Sequence, residues 1–188
     1  MYKLCKTEQS AARQRRMELG LLEAMERRHY EELTVSDLCQ QMGISRKSFY
    51  RYFSGKEGAL HALIDHTFTE YDRNSSRLLF EEHSIQMELE ALFLFWKEQK
   101  KLMDALQRSG LSSLLMERAI HNGLDVAGVS TKRGRMYLLT AGEYTAVFVS
   151  CGLMSMILQW HQSGYALSVG QMASIAAGIL TRPRLEEK

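Results

Sequence analysis

The chain has little that breaks a helix or cross-links a fold. Its 188 residues hold a single proline, Pro183, so most segments face no interior helix breaker. Its three cysteines, Cys5, Cys39 and Cys151, are odd in number and far apart, with no CxxC pair. That argues against a disulfide scaffold and against a zinc site, and predicts reduced thiols. A dominant charge is missing too, since 24 Lys and Arg face 22 Asp and Glu for a net of +2. Any nucleic-acid footprint must therefore be a local patch. The N-terminus lacks the apolar core of a signal peptide, which predicts a cytoplasmic protein. No Ser-His-Asp arrangement, phosphate-cradling glycine loop or clustered carboxylate pair stands out, so no catalytic residue is expected and the chain does not read as an enzyme. His61, Asp65 and His66 come nearest to a metal set. However, the two histidines are five apart, off a shared helix face, and no third ligand is near, so neither a metal nor a cofactor is expected.

What is present is a concentration of helix starts. In residues 33–56, LTVSDLCQQMGISRKSFYRYFSGK, three N-cap candidates stand three residues before a group that can reach back. They are Thr34 with Asp37, Ser45 with Ser48, and Ser54 with Glu57. Gly43 stands where a C′ glycine would stop the first helix. The pattern predicts a short helix, a tight turn through Gly43 and Ile44, and a second helix from Arg46 to Phe53, a helix-turn-helix. With about 100° per residue, Phe49 and Phe53 share one side and can pack on Val35, Leu38 and Met42. Lys47, Ser48 and Arg51 point the other way, with Arg46, Tyr50 and Tyr52 on the flanks. Residues 45–56 hold four cations and no acid. Such an outer face suits a major groove lined by phosphates, the alternative being a solvated basic helix of an ordinary bundle.

The same stretch resembles the N-terminal domain of the TetR/AcrR-type (tetracycline-repressor-like) transcriptional regulators. Gly43, Ile44, Ser45, Phe49, Tyr50, Tyr52, Phe53, Lys56, Glu57 and Leu60 match that family's pattern. His29-Tyr30 departs from the usual Gly-Tyr/Phe, and Cys39 stands where Ala is common. The likeness covers the N-terminal third; the rest resembles the family only in length and helical character. What it implies is a homodimeric regulator, a repressor, on a palindromic double-stranded operator. Tyr50 and Lys56 match the family's phosphate-contacting tyrosine and helix-four lysine. Thr34 and Ser36 stand at the start of the first reading helix, where phosphate or nearby base contacts occur. Ser45, Arg46, Lys47 and Ser48 open the recognition helix, with Arg51 and Tyr52 in support. Arg46 and Lys47 are best suited to guanine O6 and N7.

Elsewhere the pattern is helical. Thr7 or Ser10 caps a first helix to about Arg28, with Arg13, Arg15 and Arg16 either solvated or on phosphates. A long helix leaves Gly55-Lys56 towards Glu81. Ser84 caps another, which bends at Lys97 to Lys101 and stops at Ser109-Gly110, and a further one spans about Leu111 to Leu124. From Tyr144 to Thr181 there is no Asp, Glu, Lys or Arg. Ser163-Gly164 divides this region into two helices, about 132–162 and 168–181. The second is too short for a membrane, which takes ~20 residues. Gly142, Thr145, Ala146, Ser150, Gly152 and Ser155 suggest close helix contact, and so a homodimer through these two helices.

An all-α fold follows, with an N-terminal three-helix DNA-binding domain over residues 1–54. A long helix joins it to a larger helical regulatory and dimerisation domain over residues 55–188. The second domain holds more large apolar side chains than a thin bundle needs. Phe93, Phe95, Trp96, Met103, Leu106, Met116, Tyr137, Tyr144 and Phe148 are core residues taken singly. Together they predict a cavity for a small, mostly apolar effector, with Glu143 placed to orient a polar group. Its lining is read as Phe93, Trp96, Met103, Leu106, Met116, Tyr144 and Phe148. The alternative is a regulator without an effector, whose C-terminal domain serves dimerisation or protein contact.

Overall fold

The computed structural model describes residues 2–5, 7–76, 84–126 and 141–181. The described residues form nine α-helices and one 3-10 turn, with no strand. The helices are α1 Glu8–Arg27, α2 Val35–Met42, α3 Arg46–Tyr50, α4 Lys56–Ser76 and α5 Ile85–Glu98. They continue with α6 Lys100–Arg108, α7 Ser113–Val126, α8 Ala141–Gln162 and α9 Val169–Leu180. The 3-10 turn, Tyr30–Glu32, lies between α1 and α2. The fold is all-α, as expected. It divides into two compact units, Met1–Thr69 with Lys101–Leu114, and Glu70–Lys100 with Leu115–Lys188.

Local chemistry sets most helix boundaries. Thr7 accepts from the Ser10 amide at 3.3 Å and starts α1. Thr34 and Asp37 satisfy each other's amides in a full capping box at α2, and Gly43, at φ 65°, ends that helix in the left-handed region. Ser45 accepts from the Ser48 amide, and Ser168 with Gln171 forms a second full box at α9. One boundary differs from expectation. The recognition helix stops at Tyr50 and not at Phe53; beyond it the Tyr52 and Phe53 amides share the Phe49 carbonyl, at 3.0 and 3.1 Å. The fourth helix begins at Lys56, as expected, and Glu57 is its second residue. The stretch to Glu81 and the first part of the 132–162 helix lie partly outside the described residues, as does Tyr137.

The first unit closes on Leu21, Met25, Leu38, Phe49, Phe53 and Leu63, all buried. The rings of Phe49 and Phe53 meet at 5.1 Å, tilted by 50°, and burying each side chain contributes about 1.5–3 kcal/mol. Val35 and Met42 are only half-buried. Residues of α6 return to this unit. Arg108 donates to the Met25 carbonyl at 2.9 Å, Ser109 accepts from the Tyr30 amide at 3.1 Å, and Lys101 pairs with Glu26. Glu18 of α1 is fully buried, a position that is costly for a lone carboxylate. Arg15 lies 3.3 Å from it, and His66 Nδ1 stands 2.9 Å from both of its oxygens. His66 therefore serves a buried acid.

In the second unit α5 packs on α9 and α8. Phe93 meets Trp160 edge-on at 5.7 Å, and Trp160 meets Tyr165 at 4.8 Å. The indole of Trp160 donates to the Leu167 carbonyl, which ties the turn between α8 and α9 to the core. That turn uses two left-handed residues in a row, Gly164 at φ 69° and Tyr165 at φ 60°. Among the described residues no helix is long and apolar enough to cross a membrane.

Candidate nucleic-acid interface

The structure sorts the expected DNA-contacting residues by what their polar atoms already do. Thr34 and Ser36 are exposed at the start of α2. The Thr34 hydroxyl accepts from the Asp37 amide at 3.1 Å and donates to its carboxylate at 2.9 Å, so it is tied into the cap. Those bonds from Thr34, with Arg28 at 3.6 Å, hold the Asp37 carboxyl below the usual carboxylate range.

Around α3, Ser45, Arg46, Lys47, Tyr50 and Arg51 are exposed, and Ser48 is half-buried. Phe49, between them, is fully buried and fixes the rotation of this short helix. Arg46 lies 6.0 Å from the centre of the Tyr50 ring, one turn on. Beneath them Cys39 is buried, which pushes its thiol up, while the charge of Arg46 pulls it down. The outward side therefore carries cations, hydroxyls and a phenol, and the inward side carries the aromatic anchor.

Two further residues of the set have structural tasks. Tyr52 is buried, and its carbonyl accepts from the Lys3 amide at 2.9 Å. Residues 2–3 thereby strap the end of the recognition helix, with a bridge between Tyr2 and Phe53. Lys56 is half-buried, its ammonium donating to the Tyr30 carbonyl at 2.9 Å and the Glu31 carbonyl at 3.2 Å. Nothing in Tyr2-Lys3 themselves signals the strap, since a short polar start suits a loose end equally well.

The expected effector residues fall in different surroundings. Phe93 and Trp96 are buried in the aromatic core of the second unit, and Phe95 is buried against Trp96. Met103 and Leu106 are buried and belong to the first unit. Met116 is half-buried, its sulfur 3.7 Å from the Ser155 hydroxyl. Tyr144 and Phe148 are 61% and 72% exposed. They begin a stripe on α8 that runs Tyr144, Phe148, Gly152, Ser155 and Gln159, all exposed at spacings of three and four. On α9, Gln171, Ser174, Ile175, Gly178 and Ile179 make a second exposed stripe.

Residues 21–63 match the sequence model described as bacterial regulatory proteins, tetR family. Gly43 to Leu60, which carry the resemblance, lie inside that match. No curated protein matches the chain in sequence. Among solved structures, the dihydroxyacetone kinase operon activator DhaS aligns with a TM-score of 0.57 at 17% identity, over 89% of this chain and 93% of that one. The fatty acid degradation regulator FadR from Bacillus halodurans aligns at 0.63 and 13%, over 96% and 100%. FadR from Thermus thermophilus, a TetR-family repressor in complex with lauroyl-CoA, aligns at 0.55 and 16%, over 93% and 96%. These likenesses are of fold. The helix-turn-helix lies within the match to the tetR-family model, and the fold is similar to that of solved TetR-type transcriptional regulators.

Proposed function

We propose that the chain acts as a homodimer on a palindromic operator and represses transcription there. The observation that carries this reading is the face of α3. Arg46, Lys47, Tyr50 and Arg51 are exposed around a buried Phe49, and residues 45–56 contain no acid. Arg46 and Lys47 read guanine edges, which offer paired acceptors in the major groove. Ser36, Ser48 and Tyr50 donate to flanking phosphates, Ser45 holds Ser48 and the start of α3 in place, and Thr34 positions the start of α2. Lys56 has three ammonium hydrogens and gives two to carbonyls, leaving one for a phosphate. Arg51 contacts the backbone, and Tyr52 supports from within the core.

Residues 1–54 form the reading domain and 55–188 the dimerisation and regulatory domain. The exposed, uncharged stripes of α8 and α9 support a homodimer through these helices, since grouped large apolar side chains such as Tyr144, Phe148, Ile175 and Ile179 mark interaction sites when open to water. The effector in this reading is a small, mostly apolar molecule held in the second unit, with Trp96, Met116 and Phe148 on its path. Acyl-CoA thioesters are the first probes, because one neighbour of the same fold carries lauroyl-CoA. A regulator without an effector is the second reading. The close packing of Phe93 on Trp160 favours it.

Selection of bound sequences from random DNA tests the whole proposal. A palindrome with half-sites about 10–10.5 base pairs apart, or a multiple, is expected for a two-fold dimer. A single asymmetric site, or no enrichment, would refute it. A promoter fusion carrying that site should be silenced by the protein, and lauroyl-CoA should relieve the silencing. If the fusion is activated, the regulator has the opposite sign.

A further inference from the structure

Three arginines of the first unit have no structural partner among the described residues. Arg13 and Arg16 lie three residues apart on one face of α1, and Arg51 is the C-cap of α3. All three are exposed, and none of their side chains makes an ion pair, hydrogen bond or ring contact among the described residues. Arg15, their neighbour, behaves differently: it is half-buried and pairs with Glu18. One arginine of the α1 run thus serves the fold, while two are left to face the third across a groove.

That groove is a cleft of about 220 Å3 between α1 and α3. Arg13, Arg16 and Arg51 line it together with Met17, Met42 and Ile44, and no acidic residue does. A water's share of liquid volume is ~30 Å3, so the cleft has room for an oxyanion and part of what it is attached to. Three unpaired cations around one cleft repel one another. A bound anion removes that repulsion, and the planar guanidinium fork fits phosphate oxygens two at a time.

We infer that this cleft seats one phosphodiester of the operator backbone, which makes α1 part of the DNA interface. The inference rests on the operator-binding reading above. Its occupant follows from position. Ser48 and Arg51 also line the cleft, so it opens beside the exposed face of the helix that enters the groove. A phosphate beside a base-reading helix fixes register and carries no sequence information. The residues fit that division, since the cleft offers charge and apolar walls without an amide or carboxylate to discriminate bases.

The test is a salt series on the full-length protein with its selected operator, comparing the parent with Arg13→Ala/Arg16→Ala and Arg13→Lys/Arg16→Lys. Loss of one phosphate contact lowers the slope of log affinity against log salt by about 0.9, so about 1.8 for a dimer, with roughly fivefold weaker binding per site at about 0.15 M salt. Base preferences should stay as they are, and the lysine variant should keep the parent's slope. A second measurement removes the charge from the DNA. Scanning single methylphosphonates along the operator should find one position per half-site that weakens the parent and leaves the alanine variant unaffected. An unchanged slope in an alanine variant that melts like the parent overturns the inference while operator binding stands. So does a relaxed base preference. A cleft that takes inorganic phosphate in a thermal-shift assay, with no methylphosphonate position linked to it, is a free-anion site and overturns it as well. A parent that binds no DNA overturns both readings.

Discussion

The Lys56 ammonium donates to the Tyr30 carbonyl at 2.9 Å and sits 4.4 Å from the centre of the same residue's ring. One side chain thereby joins the start of α4 to the turn that feeds α2. Tyr30 is itself buried, and burial first, then Glu57 and Glu31, keeps its hydroxyl protonated well above the ordinary range. Lys56→Ala should cost about 1–3 kcal/mol of unfolding free energy, the scale for charged hydrogen bonds to partly buried carbonyls. Operator and random duplex should weaken alike, with a salt slope lower by roughly one per site. Urea melts beside salt-dependent titrations decide the matter. Unchanged stability would mean that water replaces the ammonium without loss.

Base reading and phosphate binding separate at Arg46. It is exposed, and its ring contact is Tyr50 at 6.0 Å, so removing it should leave the fold intact. Arg46→Ala should cost about 1–3 kcal/mol on the selected operator and relax preference at one base position per half-site. Repeating the selection with the variant reads this directly. A weaker variant with an unaltered sequence preference would make Arg46 a phosphate contact.

Alkaline stability should report on Tyr71. Burial, followed by the charges of Asp72 and Glu88, pushes its hydroxyl up to about 12, and the ring meets Phe95 at 5.4 Å. A group raised in the folded state contributes stability that is complete below its unfolded value, ~10 for tyrosine. That contribution disappears as pH rises through the folded value. Between about pH 10 and 12 the parent should therefore lose on the order of 1–2 kcal/mol more than Tyr71→Phe. Denaturant midpoints of both proteins across that alkaline range, with a neutral reference, measure the difference. Parallel curves would show that the phenol stays hydrated.

How far the residues foretold this arrangement depended on the range of the interactions. The caps at Thr34, Ser45 and Ser168 were legible because each closes a bond within three residues, as was the stop at Gly43, which needs a left-handed backbone. The end of α3 was not. The apolar pattern through Phe53 suits a continued helix, whereas the bond from Lys3 to Tyr52 spans most of the first unit's sequence and leaves no local signal. The burial of Glu18 leaves little local signal, because its partner His66 is 48 residues away. Phe148 shows a different limit. A large apolar residue in an uncharged run suits a core, a cavity or an interface equally, and only its 72% exposure distinguishes them.

That exposure leads to the dimer, where Gly152 offers a clean test. It lies in the middle of the α8 stripe, exposed, and a Cβ built on it meets nothing within 4 Å. Its backbone is outside the left-handed region, so a larger residue is free of strain, and glutamate favours helix over glycine by roughly half a kcal/mol or more. Within one subunit Gly152→Glu should therefore be neutral or mildly stabilising. At a two-fold helix contact it places a bulky charge against its own copy. An unpaired buried charge costs several kcal/mol there, and two like charges add repulsion. The expected result is a folded monomer with the parent's helix content and much weaker operator binding, because each half-site then binds alone. Gly152→Ala adds one methyl group and should remain dimeric. Sedimentation of parent and variants at micromolar concentration, with circular dichroism as the control for folding, separates the outcomes. A parent that sediments as a monomer, or a Gly152→Glu variant that stays dimeric, would move the interface away from this stripe.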